Sequence, residues 1–365
     1  MASPTSSTTA LQQALTDVLL IQTDSKGYED ALECSDRNGG GLVLTGKDSL
    51  TIAKHLVGQQ LYSRPILVDR GRYSGASRAF ARDAFDSDWI TQQRKLKLVA
   101  TMPDAGYVGE GDESGLVSIL GRVQDLGPDT IAPLALHLSW LDSRRNLGLL
   151  LERVRAAGVP IAVALEQEKD PLSKRFAVKG LVELLQLPIP VIMLRCDVSA
   201  LGALCFGATA AAVGTTTGLR HLYPLPKNDS NGFYNKPKTA AVVKGCLAYA
   251  SLDKIDQAVQ ADRDNQLWSC SCRFCAGRTL DWLGSSPDPE IWAFLHSLDT
   301  LYEIRRDILG QNANLADRRT SWIEQCDSAL FQHEVIDGIT YQWNPPKSLG
   351  NWVHLRKQLS QSPVR

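Results

Sequence analysis

No stretch of this chain is apolar for long enough to cross a bilayer. Neither charge is in excess: 39 Lys and Arg stand against 40 Asp and Glu, a formal net charge of −1. That balance excludes a global basic field, so any contact with nucleic acid needs a local patch. The start, Met1-Ala-Ser-Pro-Thr-Ser-Ser-Thr-Thr-Ala10, lacks the basic and apolar parts of a secretory signal and reads as a disordered lead-in. No Gly-x-Gly-x-x-Gly follows the first apolar run, which weakens a dinucleotide-binding reading. No solenoid-type repeat occurs. The expected setting is cytoplasmic and reducing, with no membrane partner. There, the eight cysteines point to free thiols or a metal rather than disulfides.

The 365 residues are 44% hydrophobic and 22% charged, the profile of a globular chain able to bury a large core. Eight short aliphatic runs recur: Val18–Gln22, Gly41–Thr45, Pro65–Asp69, Leu96–Ala100, Leu134–Leu138, Pro160–Leu165, Pro190–Leu194 and Ala210–Gly214. Their continuous apolar character suits strands buried on both faces. Amphipathic stretches separate most of them. Asp48–Val57 opens on an N-cap-like Asp, Asn146–Ala157 stops at Gly158, and Lys174–Leu185 follows the same pattern. The alternation predicts a (β/α)8 barrel over residues 16–223, preceded by a disordered lead-in over 1–15. An open doubly wound sheet is the runner-up. From Pro224 the chain turns Pro-, Asn- and Gly-rich and then reads mostly helical, which predicts a C-terminal, mostly helical subdomain over 224–365.

Three constellations carry chemistry. In Cys270-Ser-Cys272-Arg-Phe-Cys275, three thiols within six residues can converge on one cation. With one imidazole they match the tetrahedral preference of zinc in a closed, structural site. His296 is the nearest downstream histidine and the first choice, with His333 and Cys326 in reserve. Acids also collect at predicted strand ends: Asp69, Asp104, Glu166 and Asp197. Each alone could be an N-cap or an ion pair, but several on one rim of a barrel point to a polar ligand site. Finally, Gly214-Thr-Thr-Thr-Gly-Leu-Arg220-His221 offers backbone access, the hydroxyls of Thr216 and Thr217, and the Arg220 cation to a phosphate; a plain connecting turn reads the same way.

Taken together, these segments resemble the tRNA-guanine transglycosylase superfamily. That group includes queuosine and archaeosine enzymes and DNA-modifying relatives that insert 7-deazaguanines. Its Cys-x-Cys-x-x-Cys followed by a distant His is similar to Cys270, Cys272, Cys275 and His296. Its Arg-Pro-Ile-Leu-Thr-Asp-Ser-Gly-Gly-Phe segment is similar to Arg64-Pro-Ile-Leu-Val-Asp69-Arg-Gly-Arg-Tyr73. The resemblance implies a barrel with a zinc subdomain, Asp69 as acid/base, and Asp104 reading the edge of the base. It departs where the group has a nucleophilic aspartate on the last barrel strand, because Ala212 stands there. Asp69 or Asp197 would then have to act as nucleophile, or exchange is lost.

Three readings stay open. The first is a transglycosylase-like exchange of guanine for a 7-deazaguanine, DNA favoured over tRNA, with the nucleotide flipped into the barrel mouth. Tyr73 or Tyr107 would stack on the base, and Arg70, Arg72, Arg273 and Arg278 would hold phosphates. The second is a catalytically inactive paralogue serving as a homodimeric or heteromeric partner subunit that positions nucleic acid. The third is a barrel enzyme acting on a small phosphorylated substrate. His55 reads as a helix-face residue, and His137 lies inside a predicted strand where it can point into the barrel. The late tryptophans read as core. Trp352–Gln358 reads as a short basic amphipathic helix.

Overall fold

The computed structural model describes residues 11–225, 238–310, 314–340 and 343–356. The chain divides into two compact units, Met1–Pro226 and Lys227–Arg365.

In the first unit, helix α1 (residues 11–15) precedes β1 (Val18–Thr23), α2 (Tyr28–Arg37), β2 (Gly41–Thr45), α3 (Ser49–Gly58), β3 (Ile66–Asp69), α4 (Ser87–Lys95), β4 (Tyr107–Val108) and α5 (Glu113–Leu126). Then come β5 (Ala132–His137), α6 (Leu147–Ala157), β6 (Ile161–Glu166), α7 (Arg175–Leu184), β7 (Val191–Cys196), α8 (Ala200–Cys205), β8 (Ala210–Gly214) and α9 (Thr217–Arg220). All eight strands are parallel, in the order β3-β2-β1-β8-β7-β6-β5-β4. Pairing of the first strand with both the second and the last is that of a curled sheet, and the unit is a (β/α)8 barrel.

Two expectations need correction. Leu96–Ala100 is not the fourth strand. Asp86 caps α4 with its carboxylate, and the helix runs on to Lys95, after which Lys97 takes a positive φ of 52°. The place of a longer fourth strand is filled piecemeal by a lone Thr101–Thr130 bridge and by the two residues of β4. Segment 79–81 lies along β4 on its other side: Tyr107 N–H donates to Ala79 O at 2.9 Å and Ala81 N–H to Tyr107 O at 2.9 Å. Residues 11–15, placed in the disordered lead-in, are helical instead. Their Leu11 and Leu15 are apolar enough to join the barrel's buried cluster. Residues 1–10 lie outside the described residues. At α3, the N-cap position of Asp48 holds, but its side chain makes no capping bond.

The barrel interior is one apolar cluster built from alternate strand residues. Leu20, Val43, Leu67, Ala135, Ala162, Ala164, Ile192, Leu194, Ala210 and Ala212 all belong to it. Side chains alternate faces with period two, so the next inward position on several strands is polar: Gln22, Thr45, Asp69, His137 and Glu166. The sequence therefore stacks a polar layer on apolar ones at the C-terminal ends of the strands. On β7 the register shifts between Met193 and Cys196, and Arg195 adopts a positive φ of 52°. That irregularity departs from the simple alternation at the strand's end.

The second unit opens with an antiparallel hairpin, β9 (Ala240–Val243) and β10 (Ala248–Ser251). Helices α10 (Leu252–Ala261), α11 (Trp282–Ser285), α12 (Pro289–Leu309), α13 (Leu315–Asp337) and α14 (Lys347–Val353) follow. Trp268, Trp322 and Trp352 are fully buried in it, as core rather than as a stacking platform. Residues 357 and 358 of the expected basic tail helix, and 226–237 of the turn-rich loop, lie outside the described residues. No helix among the described residues is long and apolar enough to cross a membrane.

Gly106 tests the seam between segment 79–81 and β4. A Cβ there would lie 2.2 Å from Phe80 O, so backbone must move, whereas one at Gly121 on α5 meets nothing within 4 Å. Gly106→Ala should lower the urea-unfolding free energy by about 1–3 kcal/mol. Gly121→Ala should raise it by about 0.5–1 kcal/mol.

Candidate site at the barrel mouth and candidate metal centre

Asp69 ends β3 and is 4% exposed. Its Oδ1 accepts from Gly71 N–H at 2.9 Å, while Oδ2 accepts from Tyr73 O–H at 2.6 Å and Gln22 Nε2 at 3.2 Å. Behind Tyr73 lies the guanidinium of Arg195, whose Nε donates to the phenolic oxygen at 3.1 Å and whose Nη1 donates to Gly218 O at 2.8 Å. Arg195 N–H also donates to Gln22 Oε1 at 2.7 Å, which fixes the amide so that its Nε2 faces Asp69 and Thr45. Burial pushes the Tyr73 phenol far above its ordinary pKa, even against the opposing pull of Arg195. Burial alone would lower the Arg195 guanidinium, but Tyr73 and Asp69 outweigh it and hold the charge.

Asp104 is also buried and fully engaged. Its Oδ2 accepts from Arg70 at 3.0 Å and Arg72 at 2.7 Å, and its Oδ1 from Asp86 N–H at 2.8 Å. The side-chain hydrogen bond with Asp86 is the largest influence on Arg70 and raises it, while that same pair draws Asp86 below the usual carboxylate range. Arg70 and Arg72 were expected to hold phosphates and Asp104 to read a base. In the structure they satisfy one another, because buried carboxylates need cations close by. Tyr107 and Tyr73 were expected to stack on the base. Each instead directs its hydroxyl at a carboxylate, Tyr107 at Glu166 and Tyr73 at Asp69. Arg78 completes the Tyr107–Glu166 pairing: it ion-pairs with Glu166 and lies 3.7 Å from the centroid of the Tyr107 ring. Burial, followed by the Glu166 hydrogen bond, pushes the Tyr107 phenol up.

Asp197 is set apart from this layer. It is half-buried and accepts from Ser199 N–H at 2.8 Å, beside a small cavity that it lines with Cys196, Arg220 and His221. Burial raises the Cys196 thiol and lowers the His221 imidazole. Thr216 and Thr217 stand exposed at the start of the four-residue α9, where Thr217 Oγ1 accepts from Arg220 at 3.2 Å. Gly214 is demanded by packing: a Cβ would lie 2.2 Å from the Leu219 carbonyl carbon. Ala212, where the resemblance has a nucleophile, is buried in the apolar interior. His55 is exposed on α3, as a helix-face residue should be. Gln22, Arg78 and Arg195 were not anticipated. Period two from Leu20 points to Gln22, but no local signal marks the other two.

In the second unit, Cys270, Cys272, Cys275 and His296 converge. Their ligand atoms all lie within 4.8 Å of one another, and all four residues are buried. The His296 Nδ1 lies 3.5, 3.4 and 3.3 Å from the three Sγ atoms in turn. A tetrahedral ion with thiolate and imidazole bonds of ordinary length separates its ligands by about 3.5 Å, so the four fit one metal ion. The other ring nitrogen, Nε2, donates to Val242 O at 2.8 Å, which leaves Nδ1 for the metal. Backbone N–H groups of Cys272 and Cys275 and the Trp282 indole point at sulfurs, at 3.5, 3.3 and 3.3 Å. The turn closes through Ala276 and Gly277, both at positive φ. Of the reserves, His333 is committed elsewhere: its Nε2 donates to Cys246 O at 3.0 Å and its Nδ1 accepts from the Trp343 indole at 2.9 Å. Cys326 lies buried on α13 outside the cluster. Arg273 and Arg278, expected to hold phosphates, brace the turn. Arg273 N–H donates to Asp299, and the Arg278 guanidinium donates to two carbonyls and covers the Trp282 ring at 3.4 Å.

No protein-family model matches the chain, and no curated protein matches it. Among solved structures, the chain is similar to a protein from Coccidioides immitis assigned as a fructose-1,6-biphosphate aldolase. Identity is 10%, coverage 83% of this chain and 92% of that one, and the TM-score 0.26. At that level the similarity carries no argument about chemistry.

Two measurements follow. Tyr73→Phe deprives Asp69 of a donor and Arg195 of an acceptor in a buried layer, and should destabilise the barrel by about 1–3 kcal/mol in urea unfolding. Elemental analysis of the purified chain should find one metal equivalent, lost in Cys272→Ser. Its removal by a chelator should open residues 238–340 to proteolysis while leaving 11–225 resistant.

Proposed function

We propose that this chain is a transglycosylase-like protein that receives a nucleotide of nucleic acid, DNA ahead of tRNA, at the mouth of its barrel. The observation that carries the reading is the Cys270–Cys272–Cys275–His296 centre, folded in the unit that follows a (β/α)8 barrel whose third strand ends in buried Asp69. Zinc is the metal this donor set favours. With four protein ligands it leaves no open position, so its part is structural. The barrel supplies the chemistry. Asp69 is the carboxylate best placed to act on a sugar or base, as nucleophile or as general acid/base, once its hydrogen bonds to Tyr73 and Gln22 are exchanged for contacts to the nucleotide. A 7-deazaguanine is the incoming base that the resemblance implies.

A second reading has its own support. Ala212 brings no carboxylate to the last strand, and Asp104 has its acceptors taken by Arg70, Arg72 and the Asp86 amide. Both favour a partner subunit that positions nucleic acid for another chain's chemistry. Incubation of metal-loaded protein with radiolabelled guanine or a 7-deazaguanine, separately with tRNA and duplex DNA, separates the two. Incorporation that disappears in Asp69→Asn supports exchange. Absence of label in both polymers moves the assignment to the partner subunit, to be followed by a pull-down of the catalytic chain.

A further inference from the structure

The mouth of the barrel is not closed on every side. At the C-terminal ends of β5 and β6 lies a cavity of about 400 Å³, lined by His137, Ser139, Arg144, Arg145, Glu166 and Lys174 among others. Its size falls within the range of small-ligand sites.

His137 is held in one tautomer there. Its Nδ1 accepts from Ser139 N–H at 3.2 Å and lies 2.8 Å from Ser139 Oγ. That hydroxyl oxygen already accepts from Asn146 Nδ2 at 3.1 Å, so its own hydrogen is free to turn to the imidazole. With Nδ1 accepting, the ring proton resides on Nε2, which makes no hydrogen bond among the described residues. The ring is thus a pre-set N–H donor on a cavity wall.

The charges around it are uneven. Glu166 is neutralised by Arg78 and takes the Tyr107 hydroxyl. Arg144 lies 3.7 Å from Asp142, and Arg145 pairs with Glu110 and lies 3.9 Å from Asp142. Among the described residues, Lys174 is the lining cation with no carboxylate partner, and it is exposed at the N-terminal edge of α7. A fixed N–H donor and an uncompensated ammonium, with the two paired guanidiniums on the rim behind them, form a recognition set for an oxyanion with several acceptor oxygens.

We infer that this cavity is a phosphate-group site, built on β5, β6 and the start of α7, with His137 and Lys174 as its donors. It is separate from Asp69 and from the Thr216–Arg220 turn, and it does not rest on the transglycosylase reading. The phosphate could belong to a small phosphorylated ligand or to a nucleic-acid backbone, which share the chemistry.

Isothermal titration calorimetry on the full, metal-loaded chain tests this with two probes, inorganic phosphate and a single-stranded deoxyoligonucleotide. Inorganic phosphate should bind the wild type, and Lys174→Met and His137→Phe should each weaken it about tenfold. His137→Gln, which keeps an N–H donor, should restore most of the loss, and Arg220→Met should change nothing. An oligonucleotide that displaces phosphate and loses affinity in Lys174→Met upholds the site with a polymer backbone as its source. An oligonucleotide that leaves phosphate bound upholds it with a small ligand as its source. The inference is overturned if phosphate does not bind, if Lys174→Met and His137→Phe bind it as the wild type does, or if Arg220→Met abolishes binding. Loss of label exchange with phosphate binding intact would count against the proposed function alone.

Discussion

Three buried carboxylates at one end of a barrel are the constraint on which the rest of the first unit depends. Burying Asp69, Asp104 and Glu166 costs free energy unless cations or hydrogen-bond donors lie beside them. The partners come largely from one segment. Arg70, Arg72, Tyr73 and Arg78 all belong to the connection between β3 and α4. Breaking one buried pair by removing a single partner costs about 3–5 kcal/mol, because the other charge is stranded. A displacement of the whole connection would strand several at once. The segment is therefore held down by the acids it covers, and its backbone is fitted to that position. It lies along β4 through hydrogen bonds at both sides of Tyr107, at a point where Gly106 leaves no room for a side chain.

Arg195 shows how local strain serves the same end. A non-glycine residue at a φ of 52° costs of order 1 kcal/mol, and such a conformation persists only when its surroundings fix it. Here they do so from three directions: its amide is bound to Gln22, its Nε to Tyr73 and its Nη1 to a carbonyl in α9. The result joins β7, β1 and the β3 connection through one residue. Any ligand acting on Asp69 has to reckon with Tyr73, and through Tyr73 with Arg195.

How far this was legible in the sequence varies with the physics involved. Seven of the barrel strands announce themselves because parallel strands covered on both faces are continuously apolar, and that signal needs no partner to be read. The fourth was misplaced because β4 is two residues long, too short for any pattern, and because Leu96–Ala100 merely follows a capped helix. The metal cluster was legible from the Cys270–Cys275 spacing, since three thiols so close in sequence must be close in space. That His296 rather than His333 completes it depends on helix packing, which places one imidazole at the sulfurs and the other against Trp343. Asp69 was found as a strand-end acid, whereas Asp104, expected after the misplaced fourth run, precedes β4 instead; the saturation of both was not foreseen. Whether an acid is free or paired depends on where Arg70, Arg72 and Tyr73 fall after a long connection folds back, and no local pattern encodes that.

The two sides of the barrel mouth consequently differ in kind. Toward β1, β3 and β7 the donors and acceptors meet one another: Gln22, Asp69, Tyr73 and Arg195 form one closed set. Toward β5 and β6 the same alternation of inward residues delivers His137 and Glu166, yet only Glu166 is consumed, by Arg78 and Tyr107. The imidazole is braced from behind by Ser139, itself bonded by Asn146, and its Nε2 has no acceptor among the described residues. A side chain held by its neighbours yet unmatched ahead is the arrangement expected of a group whose partner arrives from solution, since preorganisation lowers the entropy lost on binding. A charge network that is complete without a ligand stabilises the fold and resists one. On this barrel, then, the resemblance directs attention to Asp69, while the balance of donors and acceptors directs it one quarter-turn away, to His137 and Lys174.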